Sequence, residues 1–239
     1  MFYFLLSSLL SYKVLLIIAA VVPALFLMVK VYRSDRLEPE DPAFLWILIR
    51  SGILAALIAL VLERVFGFIL NHTVKDEGTY QVLLYFVVVA FSEEGAKYFM
   101  MRRASWHSLE FNCQYDGVVY AVFTSLGFAL WENISYVVHY GFSTALVRAV
   151  TAIPGHASFG VFMGVFYGIA RRLENQGLQK ESRWCRILAV IMPALLHGTY
   201  DYIASTELDS VWFIPFVVVL FAVSFIMVNR TAREDRFIR

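Results

Sequence analysis

Stretches of about 20 mostly apolar residues are what a helix needs to cross a bilayer, and such stretches take up most of this chain. Seven windows qualify, at roughly Val14–Val31, Phe44–Leu70, Tyr80–Met101, Gly117–His139, Ala149–Ala170, Ile187–Ser205 and Val211–Val228. The second is long enough to tilt or to contain a break. Residues Met1–Tyr12 are also apolar, and either lengthen the first helix or lie along the surface. They do not read as a secretory signal, because no basic residue precedes the apolar run and Lys13 interrupts it. The fold class expected is therefore all-α: a polytopic transmembrane helix bundle in one domain spanning 1–239, with a basic tail at 229–239. With 60% hydrophobic and only 16% charged residues, the chain is not a soluble globular or disordered protein. A net charge of +1 offers no field for polyanions, so no nucleic-acid partner is expected. The partners implied are membrane lipid and other membrane proteins.

The loop charges orient the bundle. Arg33 and Arg36, Arg102 and Arg103, Arg171, Arg172, Lys180, Arg183 and Arg186, and the tail residues Arg230, Arg233, Arg236 and Arg239 fall in alternate connections. The other connections carry only Lys13, Lys75 and the border residue Arg148. The positive-inside rule then predicts seven spans, an outside N-terminus and a cytoplasmic C-terminus. Both cysteines, Cys113 and Cys185, fall in the loops assigned to the cytoplasm and read as reduced bystanders. The Asp35–Asp41 connection, acidic and Pro-containing, reads as a solvated linker, or alternatively as a gate at the cytoplasmic mouth.

Ionisable residues inside spans are costly and mark function. The third window carries Glu93, Glu94 and Lys97, the fourth Glu132, the fifth His156 and the sixth His197 and Asp201; Arg50 and Glu63 lie nearer the ends of the second. With a helical rise of 1.5 Å per residue, Glu93, Glu132, His156, His197 and Asp201 lie roughly 12–22 Å from the inner edge. Residues four apart share a helix face, which pairs Glu93 with Lys97, aligns Phe128, Glu132 and Tyr136, and pairs His197 with Asp201. His156, Gly160, Gly164 and Gly168 form one stripe. Small residues at this spacing let helices approach closely, so His156 is expected to face the bundle. Pro154-Gly155 and Pro193 are helix weak points beside the two histidines.

Carboxylates and imidazoles at one depth suit two kinds of chemistry on water: general-base and oxyanion catalysis, or binding of a divalent metal. They also suit a proton or ion pathway. On the residues alone, a membrane hydrolase and a proton- or ion-coupled transporter or channel stand level, and a purely structural polar network stands behind them. No activated nucleophile is visible, and the inverted repeats common in transporters are not found.

Four motifs stand in order: Glu93-Glu94-x-x-Lys97, Phe128-x-x-x-Glu132-x-x-x-Tyr136, His156 with Gly160, and His197-x-x-x-Asp201. Together with Tyr115-Asp116-Gly117 and Leu196-His197-Gly198-x-Tyr200-Asp201, this set resembles the PrsW family of intramembrane proteases, distant relatives of the CAAX-processing (Rce1-type) enzymes. The resemblance runs from about Asp35 to Asp201. It implies a multi-pass bacterial plasma-membrane endopeptidase that makes the site-1 cut in a single-pass anti-sigma factor. On the same grounds Glu93 would activate water with Glu94 beside it. His156 and His197 would bind metal or stabilise the oxyanion, and Glu132 and Asp201 would complete the site. In the CAAX relatives the second motif usually ends in His and the last in Asn. Here Glu132 and Asp201 stand in those places, and two extra anions suit a cation. A divalent metal, zinc by donor type, held among Glu93, His156, His197, Glu132 and Asp201 is the expected cofactor; the alternative is a metal-free glutamic mechanism.

Overall fold

A computed structural model describes residues 2–205 and 210–238 of the chain. The elements in chain order are α1 (Phe2–Ser34), α2 (Pro42–Thr73), α3 (Glu77–Leu83), a π-helical segment (Leu84–Phe91), α4 (Ser92–Ser105), α5 (Asp116–Tyr140), α6 (Phe142–Val150), α7 (Ala152–Asn175), α8 (Gln179–Ser205) and α9 (Ser210–Arg233). The N-terminal apolar residues lengthen the first helix. Six stretches among the described residues are long and apolar enough to cross a membrane, with α6 and α7 counted as one. The third sequence window is the exception, since α3, the π segment and α4 divide it. The connection between the last two spans lies almost wholly outside the described residues.

Helix α5 is the central element. Its first half is buried on all sides, from Asp116 through Ala129, and it packs against α7, α2 and α1. Glycines permit two of these crossings. On the α5–α7 side, a Cβ placed on Gly164 would lie 2.5 Å from the Val118 Cα, and one on Gly117 would lie 2.6 Å from the Gly168 backbone nitrogen. On the α2–α5 side, Gly52 plays the same part against the backbone of Thr124 and Phe128, and Gly127 against the backbone of Ile49. Neither carries a sequence pattern as regular as the α7 stripe. Outside these contacts, large apolar side chains such as Trp46, Phe68, Ile69, Val211 and Trp212 are exposed, as a lipid-facing surface requires. Because no side chain can be accommodated at the α5–α7 crossing without moving backbone, Gly164→Leu is expected to destabilise the fold by at least about 3 kcal/mol. The thermal midpoint and folded yield in detergent check this; an unchanged midpoint would remove the close crossing.

The weak points read from sequence separate on inspection. Pro154 lies in the first turn of α7, where its missing N–H costs little. Pro193 sits inside α8 and is buried. Helix α8 begins at Gln179, so Cys185 lies on a helix rather than in a loop. Cys113 is a buried free thiol, and burial raises it above its ordinary pKa.

The end of the bundle that carries the basic connections is closed by polar contacts the sequence pattern did not show. The residues after α9 turn back against the α4–α5 connection. Phe237 pairs with Cys113 in an antiparallel bridge, Gln114 N donates to Arg236 O at 3.1 Å and Ile238 N to Asn112 O at 2.8 Å. Tyr115 N donates to Asp235 Oδ1 at 2.8 Å. The Asp35–Asp41 connection is exposed at Arg36, Leu37, Glu38, Pro39 and Asp41, as expected of a solvated linker, but Asp35 and Glu40 are buried, and Tyr120 donates its hydroxyl to Glu40 Oε1 at 2.8 Å. Burial pushes the Glu40 carboxyl up to about 8, against the opposing hydrogen bond from Tyr120. Burial, with the Asp235 charge adding to it, pushes Asp35 up to about 6.

A raised carboxyl pKa means that the folded chain holds more protons than the unfolded one, so this contribution to stability is lost as pH rises. For Glu40 the loss runs between its ordinary value of 4.5 and about 8. The expected slope is at most about 1.4 kcal/mol per pH unit for each carboxyl. Thermal midpoints in detergent should fall from pH 5 to pH 8 (roughly the window of this linkage), and Glu40→Gln should flatten the profile. A slope that Glu40→Gln leaves unaltered would assign it to other groups.

Candidate active site

The site lies where five helical pieces converge. Glu93, Glu94 and Lys97 come from the first turns of α4, directly after the π-helical segment. A π segment adds a residue per turn and is frequent at functional sites; here it connects the exposed part of the third window to a buried acidic turn. Glu132 comes from α5, His156 from the first turns of α7, and His197 and Asp201 from α8. Gly198 makes room beside His197 for Phe86 of the π segment, since a Cβ there would lie 2.6 Å from the Phe86 ring.

Every one of the six residues singled out from the sequence is in this cluster. Lys97 Nζ donates to Glu93 Oε2 at 3.1 Å and to Glu94 Oε1 at 2.7 Å. It also lies 3.1 Å from His156 Nδ1 and 4.0 Å from the centre of the Phe128 ring. His156 Nε2 lies 2.8 Å from Glu132 Oε2. His197 has a carboxylate at each nitrogen: Nδ1 is 3.0 Å from Glu94 Oε1, and Nε2 is 3.3 Å from Asp201 Oδ2. Glu93 Oε2 is 3.9 Å from His197 Nδ1. The two imidazoles stand 5.4 Å apart, centre to centre, nearly perpendicular, and Phe159 stacks on His197 at 4.7 Å. Glu93, Glu94, Lys97, His156 and His197 are all buried, with Glu94 and Lys97 fully enclosed.

Of these groups, Glu93, Glu132, His156, His197 and Asp201 line a cavity of about 600 Å³, while Glu94 and Lys97 lie behind its wall. Its other polar lining residues include Glu63, Arg148 and Tyr200, and Phe128, Trp131 and Phe159 supply apolar wall. The cavity extends toward the ends of α2, α5 and α8 that lie opposite the basic connections, since Glu63, Ser135 and Ser205 line it.

Two residues of the site were not read as such from sequence. Arg148 served only as a border charge. It donates Nε to Asn133 Oδ1 at 2.9 Å and pairs with Glu132 Oε2 at 3.0 Å, so it braces the carboxylate that holds His156. Its standing as the one charged residue in the Phe142–Val150 segment was the available signal. Glu63 stands nearer the end of a span, which sets it apart from the mid-depth residues in the sequence, yet the cavity reaches it.

A metal fits this donor set. One ligand atom from each of Glu93, His156 and His197 lies within 4.8 Å of the others. An imidazole that binds a metal ordinarily has its second nitrogen on a carboxylate or carbonyl, which sets the tautomer and orients the ring. His156 has Glu132 in that role through Nε2. For His197, whichever nitrogen faces the metal, the other retains Glu94 or Asp201. Glu132 and Asp201 thus stand behind the imidazoles in this arrangement, outside the Glu93–His156–His197 triad.

An all-α membrane bundle with an enclosed carboxylate–imidazole site on a cavity defines a class of membrane-embedded enzyme or ion pathway, and comparison with known proteins decides between them. Residues 40–228 match the family described as PrsW family intramembrane metalloprotease. Protease PrsW of Oceanobacillus iheyensis is 33% identical over 224 residues, covering 92% of this chain and 97% of the relative. Protease PrsW of Halalkalibacterium halodurans is 32% identical, covering 92% and 99%, and that of Bacillus subtilis 31% identical, covering 86% and 90%. No solved structure matches. The chain belongs to the PrsW family. It is a multi-pass bacterial membrane protein and an intramembrane protease, which sets the transporter reading aside.

Proposed function

We propose that this protease cuts a single-pass membrane protein near the outer side of the bilayer, making the site-1 cut in an anti-sigma factor, with Glu93 activating the attacking water. The observation that carries the reading is the position of Glu93 on the cavity wall, beside two imidazoles and within a set of donors suited to a divalent metal. The orientation follows the basic connections: with these facing the cytoplasm, the cavity runs from mid-membrane toward the outer face. A peptide entering from that side reaches Glu93 without crossing the closed basic end.

Hydrolysis then needs three things of these side chains. Glu93 takes a proton from water as the oxygen attacks the peptide carbonyl carbon. The negative charge that develops on the carbonyl oxygen is met by positive or donor groups held ready in a site with little water. The proton on Glu93 passes to the departing amide nitrogen, the C–N bond breaks, and a carboxylic acid and an amine leave, which the surrounding water then takes to carboxylate and ammonium. In the metal-dependent form Glu93 would act with His156 and His197 as a ligand in place of a free base, and the metal, zinc by donor type, would supply polarisation of the carbonyl and acidify the water. The chain's own contribution is orientation: Glu132, braced by Arg148, fixes His156, and Glu94 with Asp201 fixes His197.

The test is cleavage in liposomes of a labelled single-pass anti-sigma factor from the same host, followed by sequencing of the new terminus. A cut on the outer side of the substrate's membrane segment is expected. A cut on the cytoplasmic side would overturn the assigned orientation, and an uncut anti-sigma factor beside a cleaved unrelated membrane protein would overturn the substrate.

A further inference from the structure

We propose that Lys97 is a movable internal counter-cation that shares its seat with the metal: when a divalent metal binds, the ammonium leaves Glu93 and His156 and moves onto the free oxygen of Glu94. This rests on the metal reading above and adds to it a mechanism of loading. Lys97 is fully buried, and its three donors meet Glu93 Oε2, Glu94 Oε1 and His156 Nδ1. Two of those three residues are members of the metal-binding triad.

The conflict is one of lone pairs. An ammonium only donates, so His156 Nδ1 must accept from it, and Nε2 carries the hydrogen given to Glu132. A neutral imidazole has a single accepting lone pair. That lone pair serves Lys97 or a metal, never both. A metal about 2.1 Å from the same nitrogen would also stand within about 5 Å of the ammonium, close enough for strong repulsion in a site with little water.

A second seat is already built. Glu94 Oε2 is buried with no hydrogen-bond partner among the described residues, as are oxygens of Asp35, Glu40, Asp116 and Asp235, and leaving such an oxygen unpaired is costly. Lys97 Nζ is 2.7 Å from the other oxygen of the same carboxylate. A shift onto Glu94 therefore keeps the shortest of its bonds, satisfies the orphan oxygen, and frees the Glu93 and His156 donors together. In the absence of metal, the ammonium neutralises the adjacent glutamates and lets the bundle fold. A fixed structural counter-ion would explain the three contacts; the exchange in addition gives Oε2 a partner.

The experiment compares zinc binding by the full-length wild type, Lys97→Met and Lys97→Gln in detergent, using competition with a chromophoric chelator and thermal midpoints with and without zinc. Both variants are expected to bind zinc at least about tenfold more tightly than wild type. Their metal-free midpoints should be lower than that of wild type and should recover on zinc addition. Equal or weaker zinc affinity in both variants would overturn the role of Lys97 while leaving the metal site standing. Zinc binding by none of the three would overturn the metal reading and this inference with it. If the variants do not fold without metal, the wild-type structure with zinc decides: Nζ should lie on Glu94 and beyond hydrogen-bond reach of His156 Nδ1, and an ammonium still held by both Glu93 and His156 beside bound zinc would refute the exchange.

Discussion

Glu93→Gln is expected to lower peptide-bond cleavage at least about a thousandfold while leaving the protein folded. The two side chains have nearly the same shape, so the change disturbs packing little while it removes the capacity to take a proton and the anionic ligand that Glu93 would give a metal. Lys97 keeps its 2.7 Å bond to Glu94, and the amide oxygen of glutamine can still accept from Lys97 where Glu93 Oε2 does at 3.1 Å. A loss of activity with an unchanged thermal midpoint thus separates chemistry from packing. The measurement is the initial rate of cutting of the labelled membrane substrate, read beside the midpoint and the expression level. Normal cutting by the variant would show that the proton goes elsewhere. Glu94→Gln makes a poor substitute for this test, since it disturbs both Lys97 and His197.

The double variant His156→Ala, His197→Ala should lose both metal and activity. The triad would retain one ligand of its three, and a single carboxylate cannot hold zinc against competing chelators. Metal content should fall from about one equivalent to near none, and cleavage should fall with it. Chelation of the wild type should abolish cutting reversibly. Robust cutting after exhaustive chelation would choose the glutamic mechanism, with the imidazoles then acting as donors to the oxyanion. Wild type stays folded in either case, because Lys97 remains among the carboxylates when no metal is present.

Much of the site was legible because intramembrane polar residues are few. Glu93, Glu94, Glu132, His156, His197 and Asp201 stood out against apolar surroundings, and helical spacing correctly paired Glu93 with Lys97 and His197 with Asp201. The α7 glycine stripe correctly turned His156 inward, where it is buried. The α2–α5 crossing was not legible, since Gly52 and Gly127 are single glycines on separate helices, and only their apposition gives them meaning. The burial of Asp35 and Glu40 was likewise hidden. Acidic residues beside a proline read as solvated unless a distant tyrosine, here Tyr120, is known to reach them.

The amino-acid sequence by itself determined that this chain is a membrane helix bundle with acids and imidazoles at mid-depth, because burial of apolar residues in lipid and the cost of buried charge are local properties of each span. Only the tertiary structure decided how those groups are partnered: Lys97 between two glutamates and His156, Arg148 behind Glu132, and an oxygen of Glu94 left free. Partner choice depends on distances of a few ångströms between helices far apart in the chain, and periodicity along one helix carries no information about them.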